Sequence, residues 1–185
     1  MERNNQGSGA NSRLFFGVAV SVVLADAFTK IMAVDRLMPS RLPRTVLGET
    51  LRLTLVFNPG AAFGLHLGPW SRWIFTALTI GALVLLWELY RTTRMGDTVR
   101  TLALALVCGG ALGNLIDRLK SGRGVVDFID VGVGTMRWPT FNVADMAVSC
   151  GAVLLAIVLW KEDAAAQSAA PAGVTSSGSD AAVQG

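Results

Sequence analysis

The chain has 185 residues, of which 52% are hydrophobic and 16% are charged, and its formal net charge is +3. Soluble domains carry about 25% charged residues, so this composition excludes an ordinary soluble globule. The high hydrophobicity also excludes a chain that is disordered throughout. The 16 basic residues form no run or stripe, so nothing supports nucleic acid binding. The composition therefore indicates a membrane protein.

A bilayer has a hydrocarbon core about 30 Å thick, which an α-helix crosses with roughly 20 mostly apolar residues. Four windows meet this length, each bounded by charged residues: 14–34, 71–90, 99–119 and 143–160. We therefore predict an all-α polytopic membrane protein with four transmembrane helices, its membrane domain covering residues 14–163. The polar segment 1–13 and the Ala/Ser/Gly-rich segment 164–185 are predicted to be disordered tails.

The first window has a second interpretation. Its apolar stretch follows Arg13 and leads to Ala25-Asp26-Ala27, which resembles a small-x-small cleavage site, so a cleaved signal peptide is an alternative. We prefer a retained helix because apolar residues resume at Phe28 and extend the window to spanning length. N-terminal sequencing distinguishes the two, since a mature chain that starts at Asp26 or Phe28 would exclude the retained helix.

The 36-residue connection between the first two windows is too long for a simple loop. Within it, residues 50–57 alternate between apolar and polar side chains after a turn signal at Gly48-Glu49, which predicts a half-buried strand in a β-hairpin within the region 36–69. A second irregular segment, 120–142, contains a short Val-rich run. With four spans, these two segments must lie on one side of the membrane. The Lys and Arg counts leave open which side this is.

Ionisable residues inside a transmembrane span are candidates for function. Asp26 and Lys30 share one helix face at i and i+4, where their charges partly neutralise each other. By the parity of the spans, most of the unusual polar residues fall on one side of the membrane: Asp26, Lys30, Asn58, Asn114, Asp117, Arg118, Asp127, Asp130, Asn142 and Asp145. Glu88 lies at the opposite side and is interpreted as a solvated helix end.

Each of these residues also has a purely structural interpretation. Asn142 and Asp145 have the spacing of a helix-capping box, Asp117 and Arg118 could form an interfacial ion pair, and Asp130 could be a loop carboxylate that faces water. Their convergence on one side favours function. Gly109 with Gly113, and Ala147 with Gly151, have the small-x-x-x-small spacing that lets spans three and four approach closely.

The residue inventory limits the chemistry. His66 is the sole histidine, there is no Gly-x-Ser-x-Gly or His-Glu-x-x-His motif, and Cys108 and Cys150 lie in apolar stretches without the spacing of a metal site. The carboxylates are therefore the remaining candidates for catalytic groups. Two carboxylates held close together share a proton, so the ionised one can activate water while the protonated one binds a substrate carbonyl.

Five stretches resemble one family, the bacterial lipoprotein signal peptidases (signal peptidase II). They occur in the family's order, over residues 14 to 160: Asp26-Ala-Phe-Thr-Lys30, Asn58-Pro-Gly60-Ala-Ala-Phe-Gly64, Gly109-Gly-Ala-Leu-Gly-Asn114-Leu-Ile-Asp117-Arg118, Val125-Val-Asp127-Phe-Ile-Asp130 and Phe141-Asn142-Val-Ala-Asp145. One of these motifs alone would be weak, whereas five in order within a four-span chain are highly specific.

The resemblance implies an intramembrane aspartyl endopeptidase of the bacterial inner membrane that cleaves prolipoproteins before a diacylglyceryl-modified cysteine. It implies that Asp127 and Asp145 are the catalytic pair, that the hairpin region forms an extracytoplasmic cradle, and that both termini are cytoplasmic. The residues expected to line or support the site are Asp26, Lys30, Asn58, Gly60, Asn114, Asp117, Arg118 and Asn142. We expect no metal or organic cofactor and a monomer whose partners are prolipoproteins and membrane lipids.

Two other hypotheses remain open on the residues alone. In a small proton-coupled transporter, Asp26, Lys30 and Asp117 would form a relay through the bundle, although such a path should reach both membrane faces. In a non-enzymatic assembly protein, the polar motifs would only stabilise contacts between helices.

Overall fold

The computed structural model describes residues 4–60 and 68–169. It contains four long helices and a small sheet, in the order α1 (Asn4–Leu37), β1 (Arg44–Leu47), β2 (Leu51–Asn58), a 3-10 turn (Gly68–Trp70), α2 (Ser71–Arg91), α3 (Thr98–Lys120), β3 (Val125–Val133), β4 (Met136–Arg137) and α4 (Val143–Ala169). His66 and the second half of the Asn58 motif lie outside the described residues.

All four predicted spans are helices long and apolar enough to cross a membrane: Asn11–Leu37, Gly68–Arg91, Thr98–Lys120 and Val143–Ser168. In α3, 56% of the apolar window is buried, against 22% or less in the other three helices, so α3 is the central helix of the bundle. The outer helices expose large apolar side chains, such as Phe28, Leu85 and Val153. This distribution suits a bundle surrounded by lipid.

Helix α1 begins earlier than predicted, since residues from Asn4 onward are helical. Asn11 is buried, with its amide nitrogen donating to the carbonyl of Arg94 at 3.1 Å, and Tyr90 donates to the hydroxyl of Ser12 at 3.2 Å. These contacts tie the end of the segment 1–13 to the α2–α3 connection, which explains why it does not leave the bundle as a loose tail. Helix α4 likewise continues past residue 163 to Ala169.

Helix α1 is also unbroken through Ala25-Asp26-Ala27, the candidate cleavage site. Asp26 and Lys30 are 1% and 4% exposed and face the other helices. This arrangement favours the retained helix over the cleaved signal peptide.

The four strands form one antiparallel sheet in the order β1-β2-β3-β4. The predicted hairpin is present as β1 and β2, and β3 from the second irregular segment pairs with β2, as the parity of the spans requires. The register sets Val56 opposite Asp127 and Asn58 opposite Val125. Leu55 and Phe128 pack with Ala33 and Leu37 of α1, which fixes the sheet to the end of the bundle.

The glycine contacts differ in part from the prediction. A Cβ at Gly109 would lie 2.9 Å from the carbonyl oxygen of Ala19, so the absence of a side chain at Gly109 lets α1 pack closely on α3. Gly110 instead packs against Ala144 of α4. Gly113 lies between both helices. The spacing of small residues therefore predicts that helices pack closely against α3. Which helix packs against each glycine depends on the rotation of α3 about its axis.

Candidate active site

The polar residues predicted to converge meet where the helix ends contact the sheet. They come from α1, β2, α3, β3 and the start of α4: Asp26, Lys30, Asn58, Asn114, Asp117, Arg118, Asp127, Asn142 and Asp145. Helices α1 and α3 each present their residues at i and i+3 or i+4, hence on one face. The sheet then brings Asn58 and Asp127 to the same place.

Asn142 and Asp145 form the predicted capping box at the start of α4. The Asp145 N–H donates to Asn142 Oδ1 at 2.9 Å, and the Asn142 N–H donates to Asp145 Oδ2 at 3.1 Å. The Asn142 side chain is completely buried. Because the box uses Oδ2, the position of Asp145 is fixed while Oδ1 is left for other contacts.

Asp127 lies on β3, is 3% exposed and accepts two amide hydrogen bonds. Asn142 Nδ2 donates to its Oδ1 at 2.7 Å and Asn58 Nδ2 donates to its Oδ2 at 3.1 Å. Burial, reinforced by the charge of Asp145, raises the pKa of Asp127 to about 7, although the two amide hydrogen bonds act in the opposite direction. Asp127 therefore holds a proton close to neutral pH.

Asn114 joins the two carboxylates to the ionic residues of the bundle. Its Nδ2 donates to Asp145 Oδ1 at 2.7 Å, while its Oδ1 accepts from Asn142 at 3.1 Å and from Lys30 Nζ at 3.0 Å. An amide suits this position because it donates to the carboxylate and accepts from the ammonium at the same time.

Lys30 pairs with two carboxylates, Asp26 Oδ2 at 2.7 Å and Asp117 Oδ2 at 2.9 Å. Asp26 Oδ1 also accepts the N–H of Ala144 at 2.9 Å, and Asp117 Oδ2 accepts the N–H of Val126 at 3.1 Å. The predicted Asp26–Lys30 pair is thus confirmed. This network fixes the two backbone segments that carry Asp127 and Asp145.

The partner of Asp117 is Lys30, so the alternative of an Asp117–Arg118 ion pair is wrong. Consecutive residues on a helix point about 100° apart, and Arg118 instead lines the groove described below. Its Nε is buried without a hydrogen-bond partner among residues 4–60 and 68–169. Its carbonyl accepts from Arg72 Nε at 2.6 Å. We did not anticipate Arg72, since the sequence shows it only as a charge at the start of span two.

Asn58 closes a tight turn, because its Oδ1 accepts the N–H of Gly60 at 3.0 Å. Gly60 has a φ of 112° and packs on α2, where an added Cβ would lie 3.0 Å from the ring of Phe75. A glycine is required there on both counts. Gly60 therefore supports the site through the backbone.

Two expectations about carboxylates outside this cluster can be resolved. Asp130 is buried and pairs with Arg137 at 2.6 Å while accepting from Thr54 at 2.9 Å, so the alternative of a loop carboxylate in water is wrong. It stabilises the sheet and makes no contact with the cluster that the structure records. Glu88 is 59% exposed beside Arg91, as predicted for a solvated helix end.

A groove of about 570 Å³ opens onto this cluster. Its polar end contains Asn58, Arg118, Asp127 and Asp145. The rest is formed by the segment before α4 and its first two turns: Trp138, Pro139, Thr140, Phe141, Met146, Val148, Ser149 and Cys150. Two carboxylates thus face one largely apolar groove at the end of a membrane helix bundle.

Comparison with known proteins places these features in a family. Residues 18–161 match the family model described as Signal peptidase (SPase) II. The chain is similar to a lipoprotein signal peptidase of Burkholderia thailandensis, with 43% identity over 154 residues that cover 82% of this chain and 90% of the relative. A lipoprotein signal peptidase of Cupriavidus taiwanensis is 44% identical over 160 residues, which cover 84% of this chain and 88% of that protein.

Two solved structures have a similar fold. One bacterial membrane enzyme matches with a TM-score of 0.73 and 32% identity over 86% of this chain and 93% of that one. A second has a TM-score of 0.69 and 34% identity, covering 78% and 91% of the two chains. The five motifs, the four-helix bundle and the family match agree, and the chain belongs to the signal peptidase II family.

Proposed function

We propose that this protein is an aspartyl endopeptidase of the bacterial inner membrane that removes signal peptides from prolipoproteins, cleaving before a diacylglyceryl-modified cysteine. The observation that carries the proposal is the position of Asp127 and Asp145, which line one groove and are joined through Asn142 and Asn114. The proposed substrate class rests on membership of the family.

The two carboxylates share one proton in this mechanism. Asp127 holds the proton, which its raised pKa of about 7 supports, and Asp145 is ionised. Asp145 takes a proton from water as the water oxygen bonds to the scissile carbonyl carbon, while Asp127 gives its proton to the carbonyl oxygen. When the tetrahedral intermediate collapses, the C–N bond breaks and the leaving amine takes the proton held by Asp145. The second hydroxyl proton of the intermediate returns to Asp127.

The surrounding residues keep this pair in place. Asn58 and Asn142 hold Asp127, Asn114 holds Asp145, and the Lys30 network fixes both backbone segments. Arg118 lines the groove, and its guanidinium carries N–H donors that suit a carbonyl of the substrate. The apolar lining suits the end of a signal peptide helix, and water reaches the scissile bond from the membrane surface.

The proposed topology has both termini in the cytoplasm and the sheet on the extracytoplasmic side, with the protein acting as a monomer. The contact of Asn11 with the α2–α3 connection supports the pairing of the tails with that loop. Cysteine labelling with an impermeant reagent at exposed positions of each side tests this orientation.

The experiment for the activity is cleavage of a diacylglyceryl-modified prolipoprotein by the purified protein. We expect Asp127→Asn and Asp145→Asn each to slow cleavage at least about a thousandfold while the protein still inserts and folds. Asp97→Asn is the matched control, because Asp97 caps α3 through the N–H of Arg100, and asparagine caps equally well. Substantial turnover by either correctly folded site variant would exclude the catalytic pair.

The same variants separate the rival hypotheses. A transporter predicts proton flux into liposomes that is lost in Asp26→Asn, whereas the Lys30 network, within the part of the chain that the structure describes, connects Asp26 and Asp117 to the sheet. An assembly protein predicts that every loss of activity accompanies a loss of stability, which unfolding measurements on Asp145→Asn would reveal.

A further inference from the structure

A second groove, of about 460 Å³, lies where α1 leaves the bundle and meets the sheet. Three of its apolar residues are buried and belong to the core that joins α1 to the sheet. The apolar lining consists of Met32, Ala33, Leu37, Leu53 and Phe128. This groove is thus part of the folded framework.

The second groove is separate from the candidate active site. Phe128 lines it, whereas Asp127 lines the first groove, and successive residues of a strand point to opposite faces of the sheet. The two linings share no residue. A molecule in the second groove would therefore contact the back of the strand that carries Asp127.

Two arginines stand at the rim of this apolar surface. Arg36 is 73% exposed, and its contact with Asp35, at 3.5 Å through Nε, is a solvent-screened pair of little strength. Arg44 donates Nη2 to the carbonyl of Met38 at 3.2 Å. A guanidinium carries five N–H donors, so both side chains retain donors for an anion.

We propose that this groove binds one anionic phospholipid of the surrounding bilayer, independently of the peptidase activity. An acyl chain occupies the apolar lining, and the phosphate lies between Arg36 and Arg44. The charge of the rim complements a phosphate, and the groove begins on the last turns of a membrane helix, where acyl chain and headgroup are both within reach. A soluble phosphate would leave the apolar lining unfilled.

The test measures lipid retention by native mass spectrometry of the full-length protein in an uncharged detergent, titrated with phosphatidylglycerol. We expect one lipid to be retained by the wild type and about 30-fold weaker retention by the Arg36→Gln/Arg44→Gln double variant, the factor for two basic side chains at a membrane surface. Arg41→Gln is the matched control, since Arg41 is exposed in the same connection but does not line the groove.

Two further arms identify the occupant. The Arg36→Lys/Arg44→Lys variant should retain more lipid than the glutamine variant, and glycerol phosphate should not displace the lipid at equal concentration. Equal retention by the wild type and the glutamine variant would overturn the proposal. Displacement by glycerol phosphate would identify a soluble-anion site, and displacement by a lipidated substrate peptide would assign the groove to the substrate; either result would also overturn it.

Discussion

Asn142 offers the sharpest test of how the site is built, because one buried side chain serves both carboxylates. Its Nδ2 lies 2.7 Å from Asp127 Oδ1, 3.1 Å from Asn114 Oδ1 and 3.3 Å from the carbonyl of Val126. Its Oδ1 accepts the N–H of Asp145 at 2.9 Å. Replacing Asn142 with alanine removes the helix cap and one donor to Asp127 together.

The expected loss of stability in Asn142→Ala follows from these contacts. Loss of an N-cap typically destabilises a protein by about 1 kcal/mol, and leaving a buried acceptor such as Asp127 Oδ1 without its donor costs about 1–3 kcal/mol. We therefore expect Asn142→Ala to lower the free energy of unfolding by roughly 3 kcal/mol. The hydrogen bond from Asn142 lowers the pKa of Asp127, so its loss should move that pKa upward and shift the alkaline limb of the pH–rate profile to higher pH.

The assay combines unfolding in mixed micelles with the pH dependence of kcat/KM. Asn142→Ser keeps an oxygen that can cap α4 but lacks the amide donor, so it should recover about 1 kcal/mol of stability and still shift the alkaline limb. Asp97→Ala removes the cap of α3 at the other end of the bundle and should lower stability without moving the pH profile. Wild-type kinetics of Asn142→Ser at every pH would contradict this role and show that Asn142 acts only as a cap of α4.

Three further predictions concern pH, packing and the C-terminus. Because the pKa of Asp127 is raised to about 7, kcat/KM should fall about tenfold per pH unit above that value. The contribution of Asp127 to the free energy of unfolding is complete below about pH 4 and should be lost as the pH rises through 7. A value of kcat/KM that stays constant to pH 9 would contradict this. Gly113→Ala places a Cβ 2.6 Å from Asp26 Oδ2 and should destabilise the protein by about 1–3 kcal/mol, whereas Gly81→Ala meets nothing within 4 Å and should not destabilise it in the same unfolding assay. Truncation after Asp163 should leave the cleavage rate unchanged, and a strong loss would show that the tail has a role.

Much of the fold could be predicted because the membrane imposes simple rules on the sequence. Apolar length identified four helices, and the parity of the spans put the two irregular segments on one side, where β2 and β3 pair. The i, i+4 spacing of Asp26 and Lys30 and the capping box of Asn142 and Asp145 are local patterns. Such patterns can be predicted from the sequence because they depend only on helix geometry.

The rest depends on how the elements are rotated and paired, which local patterns do not specify. Gly109 packs against α1, although the spacing of Gly109 and Gly113 suggests close packing against α4. Asp130 on β3 forms an ion pair with Arg137 on β4, and Arg72 of α2 donates a hydrogen bond to the carbonyl of Arg118 in α3. Contacts of this kind join residues far apart in the chain or on different elements, so the single sequence carries no signal for them.

We propose that Asp127 and Asp145 act as one unit that shares a proton. The most direct measurement compares cleavage of a diacylglyceryl-modified prolipoprotein by Asp127→Asn, Asp145→Asn and the double variant, each shown to be folded. Residues that act as a unit have non-additive effects on rate. We expect the double variant to be no slower than the single variants, and losses that multiply in the double variant would show that the two carboxylates act independently.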